Sequence, residues 1–500
     1  MKKSIIVAAL FALPFAVPTI ALGQYADQAL KLSLLSYGGT ARFTGMGGAF
    51  GAIGGDFSTL SINPAGIGVY KNSEVSITPL IYNTRSFSEY VTSKEYKTNQ
   101  EEFRTRLNIN NAGFIFAMPV SNNDFKVVQF GIGYNRLANF NNSIYFEGFN
   151  PNNSFLRALS DDATVAKKNG QFDSKNPWYI NELADAVNLF EYDPATGFHP
   201  DRPDKVNQSA WIQQEGGIDE LAFTFGANYA DKLFFGATLG VPFMSFWQFY
   251  QYEEWDPYGQ DKFRGMRYDE TYESNGAGVN GKFGVIYKPI AALRVGAAIH
   301  TPTYYWLIQE SEWMSMTSSF KDSTHWNRTM ATERVFEYSQ TTPMRIIGSV
   351  AYIAGKKALI SADYEWVDHS TNKLQPSREQ VMNDSNRDIR KFYGTQHIIR
   401  TGAELRLRDF YLRGGYGWYS SPFQDTKVND MSLNTWSLGA GFRAGAFGLD
   451  FAFQHAQSKS KYYPYDADRY NSYNNESSVS PYANLTNKAN SYILTFSYRY

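Results

Sequence analysis

Six histidines, His199, His300, His325, His369, His397 and His455, carry the chain's capacity for metal binding and neutral-pH proton transfer, and no two stand at a ligand spacing. His325 and His369 fall between the expected strands and are read as solvated. The 500 residues contain no cysteine, which excludes a thiol nucleophile, thiolate metal sites and a disulfide scaffold. Gly45-Met46-Gly47-Gly48-Ala49-Phe50 opens like a dinucleotide-binding loop but has Phe50 where the third glycine belongs, and no Gly-Lys-Ser/Thr follows a glycine run. No Ser/His/acid set stands out, so neither catalysis nor a metal or cofactor is expected. The formal net charge of -1 gives no long-range pull toward nucleic acid. What the side chains can do is partition. Glu220, Arg294, Asp363, Glu365, Arg400, Glu404, Arg406, Arg443, Asp450 and Arg499 all lie on the face opposite a row of large apolar residues.

The elements that hold them apart are strands of period two. Ala358, Ile360, Ala362, Tyr364 and Trp366 face away from Ser361, Asp363 and Glu365, and at the end of the chain Tyr492, Leu494, Phe496, Tyr498 and Tyr500 alternate with Ile493, Thr495, Ser497 and Arg499. Fourteen such runs start near Glu74, Asn108, Lys126, Asp219, Lys232, Ala277, Ala292, Pro343, Lys357, Gln396, Phe410, Met431, Phe447 and Ser491. Links after even-numbered runs are tight, as at Ala230-Asp231 and Arg408-Asp409, while those after odd-numbered runs are long, the longest spanning about 141–217. With 35 Tyr, 37 Phe and 10 Trp in an otherwise polar chain, the pattern predicts an all-β fold: a transmembrane antiparallel β-barrel of about fourteen strands in an outer membrane. Met1-Lys2-Lys3, the apolar run to Leu22, and Ala21 and Gly23 read as an export signal over 1–23.

Between signal and barrel (24–73), the stretch 37–70 holds ten glycines and ends in Asn63-Pro64-Ala65-Gly66. Backbone this bare builds no core of its own but lies close against another surface. It is read as a small hatch folded back into a barrel (74–500) too wide for its own side chains to fill.

These residues resemble the family of outer-membrane transporters of fatty acids and other hydrophobic compounds, the FadL/TodX type. The likeness rests on Asn63-Pro64-Ala65-Gly66 preceded by Asp56 and the small-residue run from Gly45 through Gly47 and Gly48 to Ala52. Later echoes are His300-Thr301-Pro302, Thr342-Pro343, and Asp363-Tyr364-Glu365-Trp366. The resemblance implies a hatch-plugged barrel that captures a hydrophobic ligand outside, holds it in a luminal pocket and releases it sideways at a kinked third strand. In this chain the kink candidates are Gly131, Gly133 and Asn135. The charged inner faces favour the same route, because an apolar cargo sliding past hydrated charges is costly.

Capture is expected at the long insertion. There Pro177, Trp178 and the stripe Ile180, Leu183, Val187 and Phe190 suggest a helix starting at Asn176-Pro177 with one apolar face. The alternative is that this face packs over the barrel mouth. A monomer working with a hydrophobic small molecule and membrane lipid is expected. The rival readings are a barrel that docks secretion-machinery proteins through its aromatic loops, and haem capture by loop His or Tyr residues.

Overall fold

The computed structural model describes residues 20–120, 124–175, 177, 179–200, 205–259, 262–321, 328–355, 357–377, 379–427, 429–465 and 480–500. The expected signal up to residue 19, Asn176, Trp178 and His325 lie outside the described residues.

Alternation becomes two surfaces. In the strand Ala358–Asp368, Ile360 and Tyr364 are exposed, while Ser361, Asp363 and Glu365 are buried, as the sequence predicts. Phe130, Phe223, Phe283, Leu438 and Phe451 are exposed in the same way on other strands, forming the apolar coat of a barrel that lies in lipid. The wall begins with β1 (Glu74–Val91), β2 (Lys97–Pro119), β3 (Phe125–Asn139, resuming as Asn142–Asn150), β4 (Val206–Tyr229) and β5 (Leu233–Trp255). It continues with β6 (Phe263–Ile290), β7 (Leu293–His300, resuming as Tyr304–Phe320), β8 (Arg328–Thr341, resuming as Arg345–Ala354) and β9 (Ala358–Asp368). β10 (Thr395–Leu407), β11 (Phe410–Tyr419), β12 (Leu433–Ala444), β13 (Phe447–Tyr462) and β14 (Tyr482–Arg499) complete it. β14 pairs antiparallel with β1, Tyr498 opposite Val75 and Tyr492 opposite Ile81, so the sheet closes as a fourteen-stranded antiparallel barrel.

Tight turns gather at one rim. Ala230 and Asp231 both take positive φ (53° and 54°), the twist-matched geometry of a two-residue hairpin. Toward the other rim the strands run further than the sequence suggests. β2 starts at Lys97 rather than near Asn108, β4 at Val206 rather than near Asp219, β6 at Phe263 rather than near Ala277, and β8 at Arg328 rather than near Pro343. Above the lipid a strand's outer face need not be apolar, so the hydrophobic alternation fades while backbone pairing continues. The expected insertion 141–217 shrinks accordingly, since Asn142–Asn150 pairs with β4 and both belong to the wall. The interruptions of β7 and β8 fall at Pro302 and Pro343, which have no N–H to give a ladder. Thr342 N–H bonds the Thr303 carbonyl (2.9 Å) and Thr303 N–H the Thr342 Oγ1 (3.0 Å), joining the two breaks to each other.

Among the described residues, the segment preceding β1 holds three helices, α1 (Ile20–Ser33), α2 (Ala41–Gly45) and α3 (Thr59–Ile62), followed by a 3-10 helix, Pro64–Val69, and is largely buried from Tyr25 on. The expected cleavage point after Gly23 falls within α1. α1 packs toward the long-loop rim, with Tyr25 edge-on to Phe336 and Tyr338, and Asp27 accepting a 2.7 Å bond from the Tyr393 hydroxyl.

Candidate functional site

Residues 37–70 touch inward-facing groups from one side of the barrel to the other. The Asn63 side chain caps the 3-10 helix by accepting from Ala65 N–H (3.1 Å) and donates to the Gly51 carbonyl (2.6 Å), with Pro64 in the first position where no N–H is needed. Pro64 and Ala65 press against Gly236 of β5, and Gly66 packs on Thr59. Asp56 is buried and accepts from the Thr40 hydroxyl (2.8 Å) and Ser58 N–H (3.0 Å), pinning the segment to itself. Gly47 and Gly48 have φ of 62° and 77°, and a Cβ on Gly47 would stand 2.8 Å from the Thr401 carbonyl and Tyr416 N of the wall. A Cβ on Gly45 would stand 3.2 Å from Gly439 Cα of β12.

Of the inner-face charges, Glu220, Asp363, Glu365, Arg400, Glu404 and Asp450 are buried and held by partners, not hydrated, where residues 37–70 fill the bore, whereas Arg406 and Arg499 at the tight-turn rim stay exposed. Glu365 lies 2.6 Å from Arg345 and 2.8 Å from Arg400. Arg413 bridges Glu404 and Asp450 (2.7 Å each), Asp450 also meets Arg443 (2.7 Å), and Glu404 reaches Arg42 of α2 at 2.9 Å. Glu220 pairs with Lys282 and accepts from Ser61 (2.7 Å), while Asp363 accepts from Gly51 N–H (2.9 Å). Lone ions here would be strongly penalised; mutual pairing makes the arrangement tolerable and joins segment to wall.

Above this layer lies a cavity of about 350 Å³, flanked by Lys31, Tyr37, Leu80, Arg136, Phe140 and Ile493. Desolvation pulls the Lys31 ammonium down to about 8, against the upward pull of Asp27 and Glu310. The cavity adjoins a seam in the wall. The β2–β3 ladder ends at Asn111 opposite Asn135, and from there upward β2 pairs only with β1. Gly131 and Gly133, expected to permit a kink, sit inside the regular ladder, opposite Ile115 and Gly113. Their bare faces make room for Ile67 and Phe57 of the luminal segment instead. The break comes later: Leu137 is skipped in the β3–β4 register and β3 halts at Asn139.

Two sets of contacts bridge the seam. Residues 36–39 stand in for the missing strand: Ser36 N–H bonds the Leu137 carbonyl (2.9 Å), Gly38 N–H the Arg136 carbonyl (2.7 Å), and Asn110 Nδ2 donates to the Gly39 carbonyl (2.6 Å). Higher up, Arg104 and Arg106 of β2 both bond Glu215 of β4, and Gln100 Nε2 donates to Glu147 (2.9 Å). The sequence reading placed residues 36–39 in the hatch without their pairing to β3, and missed Arg104, Arg106 and Glu215; Glu215-Gly216-Gly217 was the available signal.

The expected open groove is a packed cap. Leu183 and Val187 are fully buried and Phe190 nearly so, in a cluster with Phe155, Tyr252, Met316 and others, with Ile180 at its edge. The helix runs only Ile180–Ala186, its start fixed by the Glu182 carboxylate accepting from Tyr179 N–H (3.0 Å), rather than starting at Asn176-Pro177. An apolar stripe specifies that something covers it; here the cap and upper wall do. His369 departs from expectation too: although in a loop it is buried, bonded to Ser33 Oγ (2.8 Å) and Gln396 (3.2 Å), and burial holds its pKa down at about 4.

No family model matches the chain, and no curated protein matches it by sequence. Among solved structures it is similar to the P. putida toluene transporter TodX (TM-score 0.51, 11% identity, covering 93% of this chain and 99% of that one). It is also similar to a Pseudomonas aeruginosa FadL homologue (TM-score 0.53, 11% identity, 93% and 99%). The closed wall, its apolar coat and these likenesses together make the chain an outer-membrane β-barrel with the fold shared by FadL-like hydrophobic-compound channels.

Proposed function

We propose that this protein carries hydrophobic small molecules, long-chain-fatty-acid-like in character, passively across the outer membrane. Cargo enters at the long-loop rim, rests in the cavity beside Lys31 and Arg136, and leaves sideways through the β2–β3 seam into lipid. Residues 24–73 act as the hatch: the lower part, tied by paired charges, keeps the bore shut, and residues 36–39 act as the movable part. The observation that carries this reading is the seam itself, a place where the wall lacks a ladder and the cavity reaches it. Below the cavity an apolar molecule meets a dense ion-pair layer, so the membrane is the nearer sink.

Because the chain has no native cysteine, the seam can be stapled cleanly. Gly38 and Asn110 are in contact, so the double variant Gly38→Cys/Asn110→Cys fixes residues 36–39 to the β2 lip when oxidised. Uptake of a labelled long-chain fatty acid into reconstituted vesicles is expected to fall to background on oxidation and recover on reduction. Equal uptake in both states refutes lateral exit.

A further inference from the structure

A second cavity, independent of the uptake reading, lies beneath the luminal segment at the tight-turn rim. It has a volume of about 660 Å³, roofed by residues 53–55 and 69–72 and walled by the lower ends of β7, β9, β10, β11 and β14. Six cations reach it, against one carboxylate, Glu404. Glu404 is already held by Arg42 and Arg413, Arg499 is paired with Glu74, and Lys71 stands 3.9 Å from Asp231. Arg294, Lys357 and Arg406 are left, with no carboxylate partner among the described residues. Arg294 donates through one Nη to the Ile53 carbonyl, and its Nε is buried without an acceptor. Arg406 gives Nε to the Arg408 carbonyl (3.0 Å) and lies 5.6 Å from the Tyr411 ring.

Three cations without a carboxylate partner line one cavity, and a buried guanidinium donor without an acceptor is costly. A tetrahedral oxyanion answers both: its oxygens accept from two planar forks at once, and the lysine adds a point charge. We propose that this vestibule binds a phosphate-class anion, supplied either as free phosphate or as the headgroup of a phospholipid at the barrel rim. Since Arg294 also holds the Ile53 carbonyl, the bound anion braces the luminal segment against the wall.

The test uses the full chain in detergent, with inorganic phosphate titrated at constant ionic strength and thermal unfolding as the readout. A saturable rise in Tm is expected, and it is lost in the triple variant Arg294→Gln/Lys357→Gln/Arg406→Gln. Retained heat-modifiable gel migration shows that the variant is folded, and Arg406→Gln alone, at an exposed side chain, gives a milder second check by weakening the phosphate response. A rise that does not saturate, that chloride reproduces, or that the folded variants keep unchanged overturns the proposal. Repeating the titration in nanodiscs separates the sources. Phosphatidylglycerol competing with phosphate, where phosphatidylcholine does not, supports the headgroup; equal titration in both supports free phosphate.

Discussion

Glu215→Gln is the most informative perturbation of the seam. The substitution keeps the side chain's volume and removes the one charge that both Arg104 and Arg106 contact. Side-chain exposure is 36% for Glu215, 14% for Arg104 and 41% for Arg106, so these are partly screened pairs. Exposed ion pairs contribute roughly 0.2–1 kcal/mol each, which makes the two together worth about 0.4–2 kcal/mol. That corresponds to a rise of about two- to thirty-fold in the open fraction of the seam. Two arginines left facing each other act in the same direction. Hydrogen exchange of residues 97–110 and 142–150 reads the opening directly. In the native chain, exchange there is expected to quicken with salt, as the screening length falls from about 10 Å at 0.1 M to about 3 Å at 1 M. The variant is expected to exchange fast at both concentrations. If it matches the native chain at both, the Glu215 bridge does not hold the seam, and residues 36–39 together with the Gln100–Glu147 bond do. If exchange rises throughout the barrel, the effect is global and the reasoning fails.

Two further outcomes follow from burial. Leu183→Ala removes a fully buried side chain from the cap, at a cost of about 2–5 kcal/mol, so proteolysis within 151–205 is expected to increase while the barrel stays intact. A groove-lining leucine would alter ligand binding and leave proteolysis unchanged. His369 has its pKa lowered in the fold from 6.5 to about 4, so its neutral form contributes stability that is fully present above pH 6.5 and is lost as pH falls toward 4. The loss totals about 3 kcal/mol, and is expected to loosen α1 through Ser33, seen as faster exchange of 20–33 at pH 4.5 than at pH 7 and flattened by His369→Asn.

Much of the fold was legible because its causes are local. A strand between lipid and lumen must alternate, so Ile360, Tyr364, Asp363 and Glu365 declare their faces without reference to any other part of the chain. Tight turns such as Ala230-Asp231 fix which rim is which. What remained hidden depends on segments far apart in sequence. Gly131 and Gly133 read as a hinge, yet they clear space for Ile67 and Phe57. Leu183 and Val187 read as an open face until the cap and upper wall are placed over them. Glu365, Arg400, Glu404 and Asp450 read as hydrated until residues 37–70 are packed into the bore.

By itself, the sequence determined a closed wall of fourteen alternating strands and a glycine-rich segment unable to stand alone, because periodicity and backbone freedom are properties of neighbouring residues. Only the tertiary structure decided where that wall lacks a ladder and what fills the gap. The reason is that a hydrogen bond from Gly38 to Arg136 exists only once residues 98 positions apart along the chain are brought together.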